Sequence, residues 1–184
     1  MAPFTLRRAD SLLDWLRVRC LYGRAFPVTE RKPFAIIRRM HRQGRTDVWV
    51  VEKAGRFAGF AATINGDGLI LLDYLAVPEK LRGQGAGSAA LRALCGRYGD
   101  RGLFVEIESP FEEGADRAQR LRRRAFYQRC GFTPCRTMAS VFGVPMELLG
   151  HGCTVDFDTY RSFYCTYYSE WAGGHIKPLV HPEA

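Results

Sequence analysis

The stretch Leu75-Ala76-Val77-Pro78-Glu79-Lys80-Leu81-Arg82-Gly83-Gln84-Gly85-Ala86-Gly87-Ser88 decides how this sequence is read. Residues 69–77 before it are nearly all apolar, the pattern of a strand buried on both faces. After it, Leu91, Leu94, Cys95 and Tyr98 recur at helical spacing. The order is therefore strand, glycine loop, helix. Glycines at 83, 85 and 87 let the backbone approach a ligand with no Cβ in the way. The first N–H groups of a helix lack intrahelical partners and sit at the positive end of its dipole. Such a turn is an anion site, pyrophosphate is its natural anion, and Arg82 adds positive charge at the rim.

Three phosphate-binding patterns compete. A P-loop ends in Gly-Lys-Ser/Thr, and no lysine follows these glycines. A dinucleotide fold wants G-x-G-x-x-G and an acidic residue about 20 positions on. Here Ser88 stands at the last glycine, while Glu106 and Glu108 come near that distance, so this rival is weakened rather than eliminated. The third pattern, [RQ]-x-x-G-x-[GA] after a strand ending in Val-Pro, is matched in full by residues 82–87 after Val77-Pro78.

Outward from the loop, residues 11–22 read as a helix capped by Asp10 or Ser11, with Leu13, Leu16 and Cys20 on one face. A second helix is expected over 33–43, ended by Gly44. Strands are expected over 48–52 and 57–64, joined by the turn Ala54-Gly55-Arg56. Asn65-Gly66-Asp67-Gly68 is a turn leading to the strand over 69–77. A further strand covers 103–108, and an acidic loop covers 109–118. A helix over 120–130 stops at Gly131, one or two strands surround Gly143-Val144-Pro145, and an aromatic helix spans 156–171. The tail after Gly173 reads as irregular. The expected fold is α/β (α+β): a mixed, mostly antiparallel central sheet with flanking helices and one crossover.

The 184 residues suit a single domain over 1–184, with a core at about 5–142 and a C-terminal extension at 143–184. Hydrophobic residues make up 47% and charged residues 25%, which argues against disorder and coiled coil. The start MAPFTLRRADSLLDW carries no signal-peptide pattern and no membrane span is evident, so a cytoplasmic location is expected. Six cysteines form no C-x-x-C pair and the four histidines match no ligand spacing, so no metal site and buried thiols are expected. Lys and Arg total 27 against 19 Asp and Glu, a net charge of +8. That excess suits an anionic partner. Aromatic residues are not interleaved with the arginines as RNA stacking platforms would be, so neither a nucleic-acid nor a membrane partner is expected.

The loop of residues 82–87, together with Ala125-Phe126-Tyr127-Gln128-Arg129-Cys130-Gly131-Phe132 and the strand between them, resembles the GCN5-related N-acetyltransferases (GNAT), which are acyltransferases using acetyl-CoA. The resemblance covers about residues 5–142. It implies splayed central strands, 69–77 and 103–108, with the thioester between their diverging ends. It implies that Leu75, Ala76 and Val77 pair with the pantetheine arm of acetyl-CoA, and that Arg82, Gly83, Gln84, Gly85, Ala86, Gly87 and Ser88 hold its pyrophosphate. Tyr127 matches the position of the family's general acid, which protonates the leaving thiolate.

For a base, Asp73 matches the position of a carboxylate that some family members carry on the same strand. Glu108 and Glu106 share one face of the next strand, and either can accept the amine's proton. The chain departs from the family in the acidic loop after Glu108 and in the arginines of the following helix. Those arginines read as a solvated face partly paired to the loop, or, at Arg120 and Arg124, as contacts to coenzyme A phosphates. The C-terminal aromatics read as core. The implied reaction is direct acetyl transfer to a primary amine, on a small molecule or a peptide, by a monomer or homodimer. The alternative is a non-catalytic acyl-CoA-binding or regulatory module.

Overall fold

The computed structural model describes residues 2–182. It is a mixed α/β fold whose described residues form eight strands, mostly antiparallel, and six α-helices. Two compact units divide the chain: residues 2–65 with 72–97, and residues 66–71 with 98–182. Strand β4, Leu69–Ala76, contributes its first three residues to the second unit and the rest to the first.

The first unit holds β1 (Phe4–Arg8), α1 (Leu12–Ala25), α2 (Phe34–Arg42), β2 (Thr46–Lys53), β3 (Arg56–Asn65) and α3 (Ala86–Arg97). Strand β1 pairs antiparallel with β2, and β2 with β3 through a turn in which Ala54 and Gly55 both have positive φ. A register shift after Val51 places an extra residue in β3 beside Gly59. A Cβ on Gly59 would stand 2.6 Å from the Ala76 carbonyl oxygen, so this glycine admits a close approach of the β4 backbone. One core joins Trp15, Val18 and Tyr22 of α1 and Ile37 of α2 to Val48, Val50, Phe60, Ala62 and Tyr74. A second, containing Val51, Ala58 and Ala90, takes in Leu75 and Leu81.

Two expectations change here. Strand β1 was not anticipated, because its FTLRR sequence is too short and basic to signal a strand. Helix α1 also turns a different face inward: Trp15, Val18 and Tyr22 are buried, while Leu12, Leu13, Leu16 and Cys20 are exposed. Large rings bury more surface than leucines, and they set the rotation. The N-terminal cap fixes the same face. Ser11 and Asp14 form a reciprocal capping box, and the buried Asp14 carboxylate also accepts two hydrogen bonds from Arg7, at 2.7 and 2.8 Å.

The second unit holds β5 (Gly102–Glu108), α4 (Arg117–Arg129), β6 (Thr133–Val141), β7 (Val144–His151), α5 (Phe157–Tyr167), α6 (Glu170–Gly174) and β8 (Ile176–Leu179). Its strand order is β4-β5-β7-β6-β8. Leu69–Leu71 run parallel to Gly102–Phe104, and the other neighbours are antiparallel. Helix α4 ends where Gly131 turns left-handed and the Phe132 N–H returns to the Tyr127 carbonyl. The expected aromatic helix is two helices, since Ser169 caps a new start. The tail is not irregular: β8 pairs with β6 from Ile176↔Val141 to Leu179↔Met138.

Candidate functional site

In the first unit, β4 runs through Leu75 and Ala76, and Val77 and Pro78 lead into a short 3-10 turn, Glu79–Leu81. Gly83 and Gly85 adopt φ of +74° and +86°, conformations that L side chains resist, and a Cβ on either would point into open space. Helix α3 begins at Ala86. The Ala89 N–H bonds the Gly85 carbonyl. For the amides of Gly83, Gly85, Ala86, Gly87 and Ser88, no protein acceptor is present among the described residues. These are the orphan donors of a helix start, extended backwards by two left-handed glycines. Such a run of N–H groups suits a multiply charged anion.

Asp73 lies on β4, two residues before Leu75 and on the same face as it, because strand side chains alternate. Both of its carboxylate oxygens accept from the Lys32 ammonium, at 2.6 and 2.7 Å. Backbone contacts hold Lys32 in place. Its N–H donates to the Tyr74 hydroxyl, its carbonyl accepts from the Tyr22 hydroxyl at 3.1 Å, and the Tyr74 hydroxyl donates to the Glu30 carbonyl. Burial raises both phenols above their ordinary range. For Tyr74 the neighbouring Asp73 charge adds to the effect. Sequence reasoning missed Lys32, since a contact across 41 positions leaves no local pattern.

In the second unit, Tyr127 is buried on α4, its ring edge-on to Phe126 and Phe132. Burial pushes its phenol up to about 12, against a smaller pull from Arg123. At neutral pH it is a protonated donor. Glu106 of β5 accepts hydrogen bonds from both Tyr160 and Tyr164 of α5. The expected aromatic stripe therefore is core at Tyr160, Phe163 and Tyr164, with two hydroxyls turned onto one carboxylate, while Trp171 is exposed.

Glu108 stands 4.0 Å from Arg120, whose guanidinium also donates to the Glu112 carbonyl. Arg117 reaches Glu113 of the acidic loop at 3.5 Å, an exposed pair. Arg124 bonds the fully buried Glu147 of β7 at 3.0 Å, with His181 beside it at 3.6 Å. Arg117, Arg120 and Arg124 are thus engaged by carboxylates and a carbonyl of their own unit. The buried Glu147 gave no sequence signal, because a lone glutamate in a short strand is ordinarily solvent-facing and its partner Arg124 lies 23 positions away.

All six cysteines are free thiols. Cys135 is buried and Cys20 exposed, so burial is not general among them. Among the described residues no group of three or more His, Cys, Asp or Glu could hold a metal ion. Nor is any helix there long and apolar enough to cross a membrane.

Residues 44–134 match the family model described as acetyltransferase (GNAT) domain. Among solved structures, a Bacteroides thetaiotaomicron protein assigned to the GNAT family is similar at 22% identity and a TM-score of 0.73, covering 92% of this chain and 98% of that one. The ribosomal-protein-S18-alanine N-acetyltransferase of Escherichia coli is similar at 18% identity and a TM-score of 0.61, covering 80% and 92%. A Bacillus subtilis acetyltransferase in complex with CoA is similar at 14% identity and a TM-score of 0.57, covering 82% and 98%. No curated protein matches.

Proposed function

The chain belongs to the GNAT acetyltransferases, and from that premise we propose that it transfers the acetyl group of acetyl-CoA to a primary amine by direct attack. The observation that carries this reading is the run of unpartnered amides at Gly83, Gly85, Ala86, Gly87 and Ser88 behind two left-handed glycines. Together with Arg82 and Gln84 they would hold the pyrophosphate of coenzyme A. The backbone of Leu75, Ala76 and Val77 would pair with the pantetheine arm. The parallel register of β4 with β5 ends at Leu71, before this segment.

The chemistry asks for a proton acceptor, an oxyanion donor and a thiolate acid. A backbone N–H near Leu75 would stabilise the oxyanion. Asp73 is assigned the proton acceptor, and its grip on the Lys32 ammonium supports its fitness to hold a cationic amine. Tyr127 is assigned the acid. A buried phenol that keeps its proton to about 12 is fully charged with a proton at neutral pH. Glu108, next to Arg120, is left as a charge at the end of β5. We read the chain as a single acetyltransferase domain acting on small-molecule or peptide amines in the cytoplasm.

The test is acetyl-CoA binding by calorimetry together with coenzyme A release over a panel of primary amines. Binding should be lost or weakened at least about tenfold in Gly85→Val, whose side chain strains the loop and enters the anion's space. Tyr127→Phe should bind acetyl-CoA normally and turn over about 100-fold more slowly, the usual scale of a lost general acid. Absence of acetyl-CoA binding by the wild type would overturn the proposal.

A further inference from the structure

We propose that Lys32 is a self-acetylation site: its ammonium, seated on Asp73, takes an acetyl group from acetyl-CoA bound to the same chain. The inference rests on the cofactor placement proposed above and goes beyond it, because it names an acceptor that the chain carries itself.

Four observations support it, all within one unit. The Lys32 Nζ contacts both Asp73 oxygens, at 2.6 and 2.7 Å, so the nucleophile already lies on the group assigned to take its proton. Asp73 precedes Leu75, the assigned oxyanion donor, by two strand residues, about 7 Å along β4. The backbone on either side of the Lys32 side chain is anchored by the hydroxyls of Tyr22 and Tyr74, so the amine is presented rather than swinging freely. Its side chain is 26% exposed, which leaves it reachable. The other three lysines, Lys53, Lys80 and Lys177, hold no ion pair among the described residues. A tethered nucleophile beside its base needs no acceptor-binding step, and that advantage is large in intramolecular reactions.

The step balances as ordinary acyl transfer. Lys32 gives one ammonium proton to Asp73, and neutral Nζ attacks the thioester carbonyl carbon. The C–N bond forms, and the C–S bond breaks. The sulfur leaves as thiolate and takes up one proton, and a further proton goes to solvent. The products are acetyl-lysine and free coenzyme A. Acetylation removes the charge of Lys32, so the ion pair with Asp73 ends.

The experiment incubates purified chain with acetyl-CoA, without added amine, and follows acetylation of each lysine by peptide mass spectrometry. Calorimetric titration with acetyl-CoA runs in parallel. The expected result is modification of Lys32 about tenfold or more faster than of Lys53, Lys80 and Lys177. Its first-order rate constant should not depend on protein concentration. Asp73→Asn, checked for folding by circular dichroism and for acetyl-CoA binding by calorimetry, should slow modification at Lys32 about tenfold or more. Lys32→Arg, which keeps the charge, should show no fast site at all.

Acetyl-CoA binding with Lys32 unmodified, or modified no faster than Lys53, Lys80 and Lys177, would overturn this inference and leave the proposed function standing. Unchanged Lys32 acetylation in Asp73→Asn would likewise overturn it. Failure of acetyl-CoA to bind would overturn both.

Discussion

The Tyr164 hydroxyl sits between the two carboxylate oxygens of Glu106, 2.8 Å from each. The Tyr160 hydroxyl donates to the same carboxylate, so helix α5 is fastened to strand β5 through one acidic side chain. Hydrogen bonds to a charged group contribute about 1.5–3 kcal/mol each, and their loss leaves a half-buried carboxylate poorly solvated. Tyr164→Phe should therefore lower unfolding free energy by about 2 kcal/mol in urea titration. An unchanged midpoint would show that water replaces the hydroxyl at no cost.

Alkaline pH should destabilise the fold in a specific window. The phenols of Tyr127 and Tyr160 are raised, the first to about 12 and the second well above its ordinary value, chiefly by burial. The folded state keeps these protons while the unfolded chain releases them near pH ~10. The stabilisation is complete below pH ~10 and fades as pH rises from there through the folded values. Melting temperatures measured from pH 8 to 11.5 should fall steeply above ~10, and Tyr160→Phe should shallow that fall.

Acid should act through Asp14. Hydrogen bonds from Arg7, opposed by burial and aided by the Ser11 and Asp10 amides, hold this carboxyl well below the usual carboxylate range. A depressed pKa contributes stability that is present above the unfolded value, near pH ~4, and is lost as pH falls below it. Asp14→Asn should cost about 1–2 kcal/mol at pH 7, discounting for the solvent around Arg7, and should make stability less sensitive to pH between ~2 and ~4. Equal acid slopes in mutant and wild type would refute this.

Glu147 is fully buried and Arg124 is its closest cation, so removing one partner should do more harm than removing both. Arg124→Met leaves a buried carboxylate beside the His181 ring, and should cost about 3–5 kcal/mol. Arg124→Met combined with Glu147→Leu should recover most of that loss. A double mutant no more stable than the single one would disprove the coupling.

Much of this was legible from sequence because it is local. The glycine loop, the hairpin at Ala54-Gly55 and the stop of α4 at Gly131 each follow from backbone preferences of a few adjacent residues. The strands β2 to β5 announced themselves by apolar runs. What escaped is what depends on distant partners. The inward face of α1 is fixed by Arg7 reaching Asp14 and by rings of other elements, so the leucine pattern misled. Strand β8 is four residues long with Pro178 inside it, and only β6 makes it a strand. The ion pairs Lys32–Asp73 and Arg124–Glu147 join residues far apart in the chain.

That last short strand has a practical meaning for handling the protein. With β8 in place, β6 presents its backbone to its own chain along Met138–Val141 instead of to a stranger. An uncovered strand margin is a template for polymerisation. A preparation shortened at Gly174 should therefore gel or scatter light on concentration, whereas the full chain stays clear.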